Sequence, residues 1–178
     1  MATSSSTRSD DPGPTLDLAA VIGAAEAAGL PCVLIGGFSV IYHGYIRATE
    51  DIDLLIPSDR AATRAVVRFA RAVDGVRTTT GRPLTAGEAA QADHLRLRTR
   101  YGLVDLLKAG VPPLDFATVN ANAEQTTLRG QPIRVANLAT VVALKRLANR
   151  PDPDRIDLRR LEEIHGALPD LPGLKIPS

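Results

Sequence analysis

The chain predicts an α/β (α+β) fold: a mixed β-sheet with helices packed on one face and a pair of helices at its C-terminal end. Short apolar runs bounded by glycine or proline, such as Val33-Leu34-Ile35, read as strands. Apolar residues at three- and four-residue spacing, such as Leu18, Val21, Ile22 and Ala25, read as helix faces. Gly102 and Gly130 each sit between extended segments, so the sheet holds hairpins.

Residues 1–14 are rich in Ser, Thr and Asp and read as a disordered tail that is not a secretory signal. The core is expected over 15–136. A helix runs from Thr15 to Gly29, capped by Asp17 or Thr15 and stopped by the glycine. Pro31 opens a strand over Val33–Ile35, and Gly36-Gly37 leads into a short helix, Phe38–Tyr42, closing at His43-Gly44. The next strand, Asp51–Ile56, is cut off by Pro57, and Ser58 or Asp59 caps a helix through Arg71. Residues 74–93 are the least periodic stretch, with a short helix near Ala86–Ala90. His94–Arg100 alternates, with Leu95 and Leu97 on one side and Arg96 and Arg98 on the other, and pairs across Gly102 with Leu103–Leu107. A second hairpin joins Thr127-Leu128 to Ile133–Val135. Two helices within 137–167 complete the same domain: Leu138–Ala148, then Pro153–His165 with Asp152 as cap, and 168–178 reads as a tail.

With 178 residues there is room for one domain with a real core. Aromatic residues are only 3%, so that core is built from Leu, Val, Ile and Ala. A net charge of +1 argues against a surface made for long duplexes but leaves room for a nucleotide or a nucleic-acid end. The single cysteine, Cys32, excludes an internal disulfide and reads as an inert thiol. No apolar run approaches the ~18 residues a membrane helix needs, so a cytoplasmic protein without a membrane partner is expected.

The chemistry concentrates in three aspartates. Side chains leave a strand on alternate faces, so Asp51 and Asp53 share one face while Ile52, Leu54 and Ile56 take the other. Aspartate is depleted in strands and two side by side repel, which a divalent cation between them would relieve. Asp105, opposite in facing to Val104 and Leu106, supplies a third carboxylate if the two strands are neighbours. Magnesium takes such oxygen ligands together with phosphate oxygens. The alternative is structural, with Asp51 at a strand end and Asp53 and Asp105 paired to arginines.

Gly36-Gly37 offers backbone N–H groups to an anion, with the Ser39 hydroxyl in the same turn; two such glycines also make an ordinary tight turn. Lys145 falls on the apolar arc of its helix, and either snorkels out or meets a fixed negative partner such as a triphosphate. Arg47 and Thr49 precede the carboxylates, within reach of phosphate or acceptor. Arg96, Arg98 and Arg100 either track a nucleic-acid backbone or form a solvated strand face. His43 reads as a base or as a structural hydrogen-bonder.

Gly36-Gly37, His43-Gly44 and Arg47-Ala48-Thr49-x-Asp51-x-Asp53-Leu54-Leu55, in that order, resemble the nucleotidyltransferase fold of the DNA polymerase beta superfamily, and within it the AbiEii-like group, many of them toxins of toxin–antitoxin pairs. The resemblance continues through Gly102-x-Val104-Asp105-Leu106-Leu107, Ile133-Arg134-Val135-Ala136-x-Leu138 and Ala143-Leu144-Lys145-Arg146, over residues 17 to 165. It departs at the end: the group's Arg-x-Lys-Asp-x-x-Asp appears as Arg150-Pro151-Asp152-Pro153-Asp154-Arg155-Ile156-Asp157, without the lysine and one residue longer.

The resemblance implies transfer of a nucleoside monophosphate from a nucleoside triphosphate to a hydroxyl, with magnesium or manganese. Gly36, Gly37 and Ser39 would hold the triphosphate, Asp51 and Asp53 the metals, Asp105 would help deprotonate the acceptor, and Lys145 would contact phosphate. The acceptor it implies is an RNA 3′ end such as that of tRNA; a protein side chain and a small alcohol of the aminoglycoside kind are open alternatives. An antitoxin is the implied protein partner. The reading from another class is a non-catalytic nucleotide-binding regulatory module.

Overall fold

The computed structural model describes residues 15–108 and 110–174. Along the described chain the elements are α1 (Leu18–Ala27), β1 (Val33–Leu34), α2 (Gly36–Tyr42), β2 (Asp51–Leu55), α3 (Arg60–Ala72), β3 (Val76–Arg77), α4 (Ala86–Gln91), β4 (His94–Thr99), β5 (Gly102–Leu107), α5 (Phe116–Ala121), β6 (Glu124–Leu128), β7 (Gln131–Val135), α6 (Leu138–Ala148) and α7 (Asp154–His165). The tail expected over 1–14 and the last four residues of the tail expected over 168–178 lie outside the described residues. Leu168, Leu171 and Leu174 pack against the core.

Helix starts follow side-chain capping. Asp17 accepts the Ala20 N–H at 3.0 Å, Asp59 that of Ala62 at 2.9 Å and Asn137 that of Thr140 at 2.9 Å. α7 differs from expectation. Pro153 holds its N-cap position with no side-chain cap, and Asp152 takes no part. The carboxylate at that end is Asp154, which accepts the Arg150 N–H at 3.2 Å.

The seven strands make one sheet, in the order β3-β4-β5-β2-β1-β7-β6. It is mixed: β2 lies parallel to β5 and β1 parallel to β7, while the other neighbours are antiparallel. β3 and α5 were not foreseen, and β6 begins at Glu124, earlier than expected, because Glu-Gln-Thr-Thr shows no apolar alternation. The β6–β7 turn puts Arg129 and Gly130 at φ of 51° and 82°, the two positive values that a tight type I′ hairpin loop requires.

One face of the sheet carries Ile52, Leu54, Ile56, Leu95, Leu97, Val104 and Leu106, packed under α1, α3 and α4. This is the expected helical cover. A second layer sits on the opposite face, where Val33, Ile35, Leu55 and Ala136 meet α5, α6 and α7 through Val119, Val141 and Leu161. Further along that second face, β2, β5 and β4 present Asp51, Asp53, Asp105, Arg96 and His94 rather than apolar side chains.

Candidate active site

Strand register builds the acidic cluster. In the parallel pair β2–β5, Asp53 stands opposite Asp105, and Asp51 leaves the same face one pleat earlier. Ligand oxygens of Asp51, Asp53 and Asp105 lie within 4.8 Å of one another. Burial and the neighbouring charges of Asp51 and Asp105 push the Asp53 carboxyl up to about 6, against the opposing pull of the Gly37 N–H and Lys145.

The antiparallel pair β4–β5 sets Arg96 opposite Asp105, in the same cross-strand row. Its guanidinium forks, with Nη1 3.2 Å from Asp105 Oδ2 and Nη2 3.0 Å from Asp51 Oδ2. His94 Nε2 lies 2.8 Å from the other Asp105 oxygen. Among the described residues no ion pair reaches Asp53. Both sequence readings of the aspartates are therefore partly realised: the carboxylates converge, and two of the three also meet an arginine.

The glycine pair sits against this cluster. Ile35 donates its N–H to the Asp53 carbonyl at 3.0 Å, which brings the β1–α2 junction to the carboxylate strand. Gly36 has a φ of 63°, and a Cβ there would overlap the Asp53 carboxylate. At Gly37 a Cβ would overlap the Thr49 hydroxyl. The buried Ser39 hydroxyl donates back to the Gly36 carbonyl at 2.7 Å, and Thr49 donates to the Asp51 carbonyl at 3.3 Å.

Beneath the cluster lies an ion network. Lys145 is buried and does not snorkel: its Nζ lies 2.9 Å from Asp154 Oδ1 and 2.7 Å from Asp157 Oδ2. Arg47 grips Asp157 with both Nε (2.7 Å) and Nη2 (3.0 Å), and Arg150 grips Asp154 at 2.7 and 3.0 Å. Burial of Asp154 opposes its charge, but the hydrogen bonds from Arg150 and Lys145 outweigh it and hold the carboxyl down at about 2. Arg47 and Lys145, read from the sequence as phosphate contacts, thus sit next to the cluster with aspartates of their own chain. His43 is structural here, its Nε2 2.9 Å from the Ala136 carbonyl. The Cys32 thiol is pushed by burial up to about 12, which disfavours its reactive thiolate.

Residues 21–161 match the family described as nucleotidyl transferase AbiEii toxin, type IV TA system. The chain belongs to that family. It is a nucleotidyltransferase of the AbiEii toxin–antitoxin group. No curated protein matches it in sequence. Among solved structures, the chain is similar to lincosamide antibiotic adenylyltransferase LnuA bound to lincomycin (TM-score 0.57, 14% identity, 84% of this chain and 99% of that one). It is also similar to the antibiotic-resistance factor ANT(2'')-Ia (TM-score 0.54, 16% identity, 80% and 78% covered). A third is an antigenic nucleotidyltransferase-like protein from Paracoccidioides brasiliensis (TM-score 0.53, 17% identity, 85% and 78% covered). At these identities the likeness concerns the fold.

The Asp51, Asp53 and Asp105 cluster has the donor chemistry of a divalent-cation site. Three hard carboxylate ligands converge, and burial together with the charges of Asp51 and Asp105 raises the Asp53 carboxyl, a cost that a cation would relieve. Sequence reasoning missed His94 and Arg150, and read Arg96 as a strand-face arginine. A signal for the β4 pair was present. A two-residue turn at Arg100-Tyr101 pairs Thr99 with Gly102, and counting back from there sets Arg96 against Asp105. Arg150 stood as the first residue of the terminal Arg-x-Lys-Asp-x-x-Asp stretch of the resemblance, but the missing lysine and the extra residue there hid its pairing with Asp154.

Proposed function

We propose that this chain transfers a nucleoside monophosphate from a nucleoside triphosphate to a hydroxyl on an RNA 3′ end, such as that of tRNA, or on a protein, with magnesium or manganese held by Asp51, Asp53 and Asp105. The observation that carries the reading is the convergence of those carboxylates within 4.8 Å, on the stretch of sheet face that presents polar side chains, beside Gly36-Gly37. The acceptor oxygen bonds to the α-phosphorus, its proton goes to Asp105, and the bond to the β-phosphate breaks to release pyrophosphate. A bound cation would supply Lewis-acid polarisation of the phosphate oxygens. Gly36 and Gly37 let the β1–α2 turn close on Asp53 and Thr49, and the triphosphate would meet the backbone of that turn. Arg47 and Lys145 supply positive charge from beneath, with Ser39 and Thr49 fixing the turn and the strand entrance. His94 orients Asp105.

The toxin–antitoxin family supports a macromolecular acceptor and an antitoxin as protein partner. A cytoplasmic location suits both substrates, and no helix among the described residues is long and apolar enough to cross a membrane. The test is incubation of the full chain with each α-labelled nucleoside triphosphate, magnesium, and either total RNA or total protein. Label on RNA or protein that Asp53→Asn abolishes is the expected result. Label only on an added aminoglycoside would move the acceptor to a small alcohol. Nucleotide binding without transfer to any acceptor would overturn the enzyme in favour of a regulatory module.

A further inference from the structure

We propose that Arg96 is a resident counterion of the carboxylate triad, which a divalent cation must displace before the site can work. The inference rests on the metal reading above and adds a residue that competes with the metal. Its basis is the fork itself. One guanidinium joins Asp51 on β2 to Asp105 on β5, taking one oxygen from each at 3.0 and 3.2 Å. His94 takes the remaining Asp105 oxygen at 2.8 Å. A magnesium-like ion binds carboxylate oxygen at ~2.1 Å, so a shared oxygen would leave two cations only a few ångströms apart. The doubly charged ion has the stronger claim on three converging carboxylates, and Arg96 gives way.

The fold allows that movement. The Arg96 backbone is pinned between β3 and β5, with Arg96 paired to Asp105 and its carbonyl accepting the Thr78 N–H at 3.2 Å. Its side chain, by contrast, is 39% exposed, and the next residue on the same face, Arg98, is also exposed. The long stem can turn outward without shifting the strand. The metal-free protein thereby keeps part of its acidic charge compensated.

The alternative is that Arg96 orients the ligands from outside while the metal is bound, as outer-sphere partners of metal sites do. The two roles predict opposite signs. Manganese is titrated into the full-length, nucleotide-free protein and read by the electron paramagnetic resonance of the free ion, with thermal unfolding followed in parallel. Under displacement, Arg96→Gln binds manganese about fivefold more tightly than wild type. It also unfolds at a lower temperature without metal, and saturating manganese closes that gap. Arg96→Lys keeps the charge and loses the fork, so it tightens binding less; should the glutamine variant fail to fold, the lysine variant decides. Unchanged or weaker binding in the variant overturns displacement. Where wild type binds and Asp53→Asn does not, unchanged or weaker binding by Arg96→Gln overturns displacement and leaves the metal reading standing. Absence of binding in wild type and all variants overturns the metal reading with it.

Discussion

Two clusters of aspartate and basic side chains lie next to each other in this molecule, and they are compensated differently. In the buried network, Asp154 and Asp157 face Lys145, Arg47 and Arg150, so each carboxylate has two cationic partners. In the triad, Asp51, Asp53 and Asp105 face one guanidinium and the half-exposed His94, and Asp53 has neither. The two environments drive their carboxyls in opposite directions, Asp154 down to about 2 and Asp53 up to about 6. Saturation makes a cluster structural. A surplus of one sign is what the proposed metal site requires, and only the triad has it.

The largest expected effect sharpens the functional side of that contrast. Asp53→Asn lowers nucleotide transfer by about a thousandfold or more, since several kcal/mol of charge stabilisation at the phosphate depend on the carboxylates. The same variant unfolds at a higher temperature than metal-free wild type, because a charge that is both desolvated and repelled is gone. A stable but inactive variant is the expected signature, and a lower melting temperature would break the comparison. Next comes the structural side. Asp157→Ala strips Arg47 and Lys145 of a shared buried partner and costs about 3 kcal/mol, a fall of roughly 10 °C in thermal unfolding. An unchanged melting temperature would show that the network is dispensable to the fold.

Gly36→Ala tests how the two regions touch. At a φ of 63° the new methyl group is strained and overlaps the Asp53 carboxylate, so about 2 kcal/mol of stability should be lost along with transfer activity. The smallest effect is in pH dependence. A carboxyl raised on folding binds its proton more tightly in the folded state. Metal-free wild type should therefore gain about 1 kcal/mol relative to Asp53→Asn as the pH falls from about 7 to about 5, and lose it again as the pH rises through about 6. Asp154 acts in the opposite sense: its contribution is in place above the ordinary value of 3.8 and disappears as the pH falls from there toward about 2. Urea unfolding at stepped pH reads both limbs.

The strands that carry chemistry were legible because alternation has a period of two. Asp51 and Asp53 had to share a face, and Leu95 and Leu97 had to oppose Arg96 and Arg98. The adjacency of β2 and β5 was a topological guess, which the parallel register turned into the Asp53–Asp105 pair. What stayed hidden is what a charged residue does when several partners compete for it. Lys145 on an apolar arc signals an unusual lysine, but periodicity cannot say whether phosphate or Asp154 and Asp157 meets it. The α7 cap was misread for the same reason. Asp152 has the local position of a cap, and only the three-dimensional pull of Lys145 and Arg150 shows that Asp154 is the aspartate in use. The start of β6 escaped because its Glu-Gln-Thr-Thr run is an edge strand with few apolar side chains to betray it.

Helix α7 also works as a splint. Near its start Asp157 clasps Arg47, and at its end His165 Nε2 lies 2.7 Å from the carbonyl of His43. These two ties bracket the connection that delivers the chain into Asp51, so removing the last helix would slacken the approach to the acidic strand while every carboxylate of the triad stayed in the sequence.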